Sequence, residues 1–111
     1  MFELHRHNQK IVPFAVGVLL LAATSPSRSE MLDLAKSKAC MACHTVETKV
    51  VGPAYKDIAA KEAGIPGAAE KLAKSIRQGS SGVWGVVPMP PNAAVSEAEA
   101  KKLADWILSL K

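Results

Sequence analysis

The 111-residue chain holds two cysteines, three histidines and a formal net charge of +4. That length suits one small domain, and the modest charge comes with no basic run and no interleaved aromatics, which excludes nucleic acid as a partner. The N-terminal part does not read as domain at all. Met1 to Lys10 is polar and carries Arg6 and Lys10, Ile11 to Ala23 is almost unbroken apolar sequence, and small residues follow. This is the layout of a secretory signal peptide. As a helix the apolar run reaches about 20 Å against a hydrocarbon core of about 30 Å, so stable membrane insertion after cleavage is not expected.

Ser27-Arg28-Ser29 and Ala23-Thr24-Ser25 both offer small residues to a signal peptidase, which leaves the cut open by several positions. A cut after Ser29 divides the chain into a signal peptide, 1–29, and a mature domain, 30–111. Cleavage removes His5 and His7, so His44 becomes the only histidine, and it lowers the net charge to +2. A domain this small, built mainly from Ala, Val, Leu and Ile, buries too little to offset its ordering cost without a staple.

Along the mature chain, Leu32, Leu34, Ala35 and Ala39 suit a helix over Met31 to Ala39. It leads into Cys40-Met41-Ala42-Cys43-His44. Gly52-Pro53 breaks the chain, and Pro53 is suited to the first position of a helix running to about Lys61. Ala69, Leu72, Ala73 and Ile76 repeat at helical spacing over Ala68 to Gln78, with Arg77 in the last turn and Gly79 as the stop. Gly79 to Asn92 has no period and holds Trp84 and Met89; an uninterrupted loop of this length is usually functional. Ser96 and Glu99 form a capping box for a last helix whose apolar face is Leu103, Trp106, Ile107 and Leu110. No strand signal is present. The expected class is all-α, with four or five short helices.

C-x-x-C-H is the covalent haem attachment pattern: two thiols add to the haem vinyl groups and the adjacent imidazole becomes an axial ligand. Cys40 and Cys43 are then the attachment residues of one haem c, and His44 the first ligand. Of the mature methionines, Met41 lies inside the attachment turn and Met31 on the helix entering it, which leaves Met89, between Pro88 and Pro90-Pro91, as the second ligand. The imidazole needs an acceptor for its other N–H, and a carbonyl of the Gly52-Pro53 turn is a candidate. The Trp84 indole is a candidate donor to a propionate.

Other readings stay open on these residues alone. C-x-x-C is also a dithiol motif, though the βαβ context is missing, and half of a zinc site, though a fourth ligand is missing. Met89 has a plain reading as a loop methionine and Trp84 one as packing. An open coordination site would instead suit a small haem enzyme or a gas-sensing haem domain.

Cys40 to His44, Val51-Gly52-Pro53-Ala54-Tyr55-Lys56-Asp57, Gly82-Val83-Trp84-Gly85, Pro88-Met89-Pro90-Pro91-Asn92 and Leu103 to Leu108 together resemble the short bacterial class I cytochromes c of the cytochrome c-551 type. The resemblance spans the mature chain. It implies a class I fold around one haem, with His44 and Met89 as axial ligands, the Pro53 carbonyl as partner of His44, Trp84 as a propionate donor and Asn92 as a hydrogen-bond partner near the Met89 sulfur. It also implies a monomeric periplasmic electron carrier, not an enzyme. Its electrons would come from a membrane quinol-oxidising complex and pass to a terminal reductase, such as nitrite reductase, or an oxidase. Lys38, Lys49 and Lys56 are candidate docking residues. Two positions depart from the family pattern: Ser75 stands where an arginine often helps bind a propionate, and Ala35 where an aromatic residue is common.

Overall fold

The computed structural model describes residues 10–19 and 24–111; the expectations for Met1 to Gln9 and for the end of the apolar run, Leu20 to Ala23, lie outside the described residues. Residues 10–19 are exposed and carry no regular secondary structure, and among the described residues no helix is long and apolar enough to cross a membrane.

The described chain folds into four α-helices, α1 (Arg28–Ser37), α2 (Tyr55–Glu62), α3 (Ala68–Gln78) and α4 (Glu97–Ser109), with a 3-10 turn at Cys40–Ala42. The only β-type pairings among the described residues are two isolated bridges, His44 with Lys49 and Ser80 with Met89. The expected all-α class is therefore observed.

Helix α1 begins three residues before the expected Met31. Ser27 caps it, because the Glu30 amide donates to Ser27 Oγ at 3.2 Å and the Ser27 amide donates to Glu30 Oε2 at 3.2 Å, a capping box written in the sequence as Ser27-x-x-Glu30. The helix also stops before the expected Ala39. That residue takes φ 61°, a left-handed conformation that turns the chain into the attachment segment.

Pro53 is not the first residue of α2. The helix starts at Tyr55 behind an extended Ala54, because its first-turn amides are satisfied from outside: Tyr55 N donates to Thr45 O at 2.9 Å and Lys56 N to Val46 O at 3.1 Å. These bonds fasten the start of α2 to the segment after His44. Helix α3 has the expected bounds, and Gly79 ends it at φ 82°.

Helix α4 packs against the other three helices. Leu103 is 1 % exposed, and Trp106 and Ile107 join it in the core with Met31, Tyr55 and Ile76. Its capping box closes with Glu99 N to Ser96 Oγ at 3.1 Å and Ser96 N to Glu99 Oε1 at 3.0 Å. The Ser96 amide holds the Glu99 carboxyl below its ordinary value, with a smaller contribution from Lys38. That contribution to stability is present at neutral pH and is lost as pH falls through the lowered value. Ser96→Ala is expected to cost about 1 kcal/mol and Leu103→Ala about 2–5 kcal/mol, both read as a lower denaturant midpoint.

Candidate functional site

The two thiols, the imidazole and the Met89 thioether, brought from separate stretches of chain, line one cavity of about 930 Å³. That volume is at the upper end for small-molecule and cofactor sites, about 300–1,000 Å³. Its far walls come from α2, α3 and α4 through Ile58, Leu72, Ile76, Leu103 and Ile107.

The left-handed Ala39 and the 3-10 turn set Cys40 and Cys43 on the cavity wall, and neither is in a disulfide. Burial pushes the Cys40 thiol up from its ordinary value, with partial relief from Tyr55. A dithiol reagent needs the opposite shift. Among the described residues no group of three or more His, Cys, Asp or Glu is arranged to hold a metal ion, which removes support from the zinc reading.

His44 is 8 % exposed. Its Nδ1 lies 2.8 Å from the Pro53 carbonyl oxygen; a carbonyl only accepts, so Nδ1 carries the proton and Nε2 is the nitrogen with a free lone pair. Two features hold the ring. Tyr55 stacks on it at 5.1 Å and 24°, and Tyr55 meets Trp106 of α4 edge-on at 5.6 Å. The backbone of Gly52 also presses so closely that an added Cβ would lie 2.5 Å from His44 Cε1. Gly52 was visible in the sequence only as a chain breaker.

Met89 is fixed through its backbone. Ser80 N donates to Met89 O at 3.0 Å and Met89 N to Ser80 O at 2.8 Å. Gly79 comes so near that an added Cβ would sit 2.7 Å from Met89 O, and Asn92 N donates to Ile76 O at 3.0 Å. The Asn92 side chain reaches back across the fold: its amide nitrogen donates to Lys38 O at 2.8 Å, and its oxygen accepts from Ala94 N at 3.2 Å. It thereby ties the Met89 loop to the residue two before Cys40.

Trp84 is 38 % exposed and lines the cavity. Lys61 lies over its ring, Nζ 4.5 Å from the centroid, and donates to Val83 O at 3.3 Å. Nothing in the sequence paired these two residues. Arg77 points away from the cavity, its Nε donating to Val95 O at 3.3 Å, whereas Ser75 lines the cavity. Of the expected docking lysines, Lys38 bonds Ala94 O at 2.9 Å and Glu99 at 3.4 Å, and Lys56 pairs with Glu47 at 2.7 Å. Lys49 has no ion-pair partner among the described residues.

The cytochrome c family profile matches residues 33–111. The chain belongs to the cytochrome c family. It is 60% identical over 98 residues to cytochrome c-552 of Nitrosomonas europaea, covering 88% of this chain and 92% of the relative. It is 55% identical over 97 residues to cytochrome c-551 of Pseudomonas aeruginosa, covering 87% and 90%. The crystal structure of wild-type Nitrosomonas europaea cytochrome c552 superposes with a TM-score of 0.70 at 68% identity, covering 72% of this chain and 99% of that one.

This cytochrome c thus has the class I fold of the c-551 type, carries a single haem c bonded through Cys40 and Cys43, and is an electron carrier, not an enzyme. Two unpaired thiols on the wall of a largely apolar cavity suit that group. Gly52→Ala drives a methyl group into the imidazole. The expected result is a lower thermal midpoint together with a changed haem absorption spectrum, and an unchanged spectrum would show that Gly52 does not position the ring.

Proposed function

We propose that this cytochrome c is a periplasmic shuttle that moves single electrons with His44 Nε2 and Met89 as the axial ligands. The observation that carries the reading is that His44 and Met89 line the same cavity as Cys40 and Cys43, with the imidazole tautomer already set by Pro53. The haem iron supplies a one-electron couple, and a His/Met pair raises its potential. The protein contributes rigidity. The Pro53 carbonyl, the Tyr55 ring and the Gly52 backbone hold His44, while the Ser80 pairing and the prolines on either side hold Met89. The Trp84 indole is the donor proposed for a propionate. The remaining Asn92 amide hydrogen is the one proposed for the Met89 sulfur.

Export through residues 1–29 places the carrier in the periplasm, between a membrane quinol-oxidising complex and a terminal reductase, such as nitrite reductase, or an oxidase. Support comes from the leader pattern and from the likeness to c-551 and c-552 proteins. A cut after Ser29 would also remove the Ser27 cap of α1, leaving Glu30 as the first residue. The proposed docking face is the cavity mouth, where Val51 is 52% exposed, Val86 97% and Val87 61%, with Lys49 beside them.

Two measurements test this reading. Met89→Ala is expected to convert a low-spin, six-coordinate spectrum with a methionine-to-iron band into one without that band; a band that survives the substitution would refute Met89 as ligand. The electron-transfer rate with an acidic partner is expected to fall as the Debye length shrinks from about 30 Å at 0.01 M salt to about 3 Å at 1 M. A flat rate would remove lysine steering.

A further inference from the structure

Glu62 is the last residue of α2 and is 2% exposed. Its carboxyl group is therefore out of water at the C-terminal end of the helix, where a buried polar group needs a partner. Its one side-chain partner among the described residues is Lys71 of α3, whose Nζ lies 3.1 Å from Oε1 and 3.4 Å from Oε2. Both residues line the haem cavity. The pair is unequal, because the Glu62 side chain is 3% exposed and that of Lys71 54%. The carboxylate is sunk in the wall and the ammonium stands at the opening.

The position of the pair along α2 matters. Tyr55, at the start of that helix, stacks on His44 beside the attachment cysteines. Glu62 is seven residues further on, about 10 Å at 1.5 Å per residue. In a haem the vinyl groups that take the thiols and the two carboxylates sit on opposite edges. A haem bonded through Cys40 and Cys43 would therefore direct its carboxylates away from the attachment turn, and the far end of α2 is a candidate for meeting them. Two further cations of α2 and α3 are engaged by other groups, Lys61 by Trp84 and Val83 O, and Arg77 by Val95 O. Ser75, one turn beyond Lys71 on the same face of α3, lines the cavity but carries no charge.

We propose that Lys71 is the cationic partner of a haem carboxylate and that the buried Glu62 is the positioning residue that holds its ammonium at the cavity mouth. An ammonium has three donors and no acceptor, so it can bridge two carboxylates at once. The Glu62 contact also restricts a side chain that would otherwise be mobile at the surface. The proposal rests on the covalently bound haem and not on which residue supplies the sixth ligand.

The test uses the haem-loaded protein and its Lys71→Met and Glu62→Gln variants, with the reduction potential at pH 7 and an absorption spectrum taken on the same samples. Lys71→Met is expected to lower the potential, since a cation near the haem favours the reduced iron. Glu62→Gln is expected to raise it, since an anion favours the oxidised iron. A pair that merely ties α2 to α3 would lower the thermal midpoint in both variants without shifts of opposite sign, and that result overturns the proposal. A crystal structure of the haem-loaded protein with Lys71 Nζ further than about 4 Å from both carboxylates overturns it as well. Failure of Met89 ligation would show in the spectrum of the unmodified protein and is thereby distinguished from failure of this proposal.

Discussion

The Pro53 carbonyl, 2.8 Å from His44 Nδ1, accepts the imidazole proton and leaves Nε2 with a free lone pair. Much of the surrounding structure follows from this bond. The Pro53 carbonyl is engaged by His44, and α2 starts two residues later, drawing its first amide partners from Thr45 and Val46. The loop between His44 and Pro53 is closed tightly enough that only glycine fits at 52. Tyr55, placed at the first position of α2, lies flat on the imidazole and passes the contact on to Trp106. The orientation of the imidazole and the packing of α2 on α4 thus share one set of contacts.

The opposite wall is held in large part by backbone bonds. The Gly79-to-Asn92 loop is pinned at its two ends, by the Ser80 and Met89 pairing and by the Asn92 amide on Ile76, while Val86 between them is 97% exposed. Lys38 connects the two walls: its carbonyl accepts from Asn92, and its ammonium reaches Ala94 and Glu99 at the start of α4. A lysine that looked like surface in the sequence is a structural tie between the attachment turn and the methionine loop.

Much of this was legible in the sequence because the relevant signals are local. Periodicity with Gly79 gave the bounds of α3, Ser96-x-x-Glu99 gave the start of α4, and C-x-x-C-H with one mature histidine gave the attachment site. The errors occurred where long-range contacts override local preference. Pro53 has the features of a helix-starting proline, but its carbonyl is engaged nine residues back. Helix α1 begins before Met31 for a local reason, the Ser27-x-x-Glu30 capping box. The closeness of Gly52 to the imidazole, of Lys61 to Trp84 and of Glu62 to Lys71 depends on how α2, α3 and the loops converge. Such contacts between residues far apart in the chain leave no spacing pattern to read.

One haem bonded to Cys40 and Cys43, with His44 and Met89 proposed as its ligands, can be checked on the unmodified protein from a cytochrome-maturing host. A denaturing gel stained for haem is run alongside absorption spectra before and after dithionite. Haem is expected to migrate with the polypeptide and to give low-spin spectra in both oxidation states. Haem lost on denaturation, or a high-spin spectrum of the native protein, would contradict that expectation.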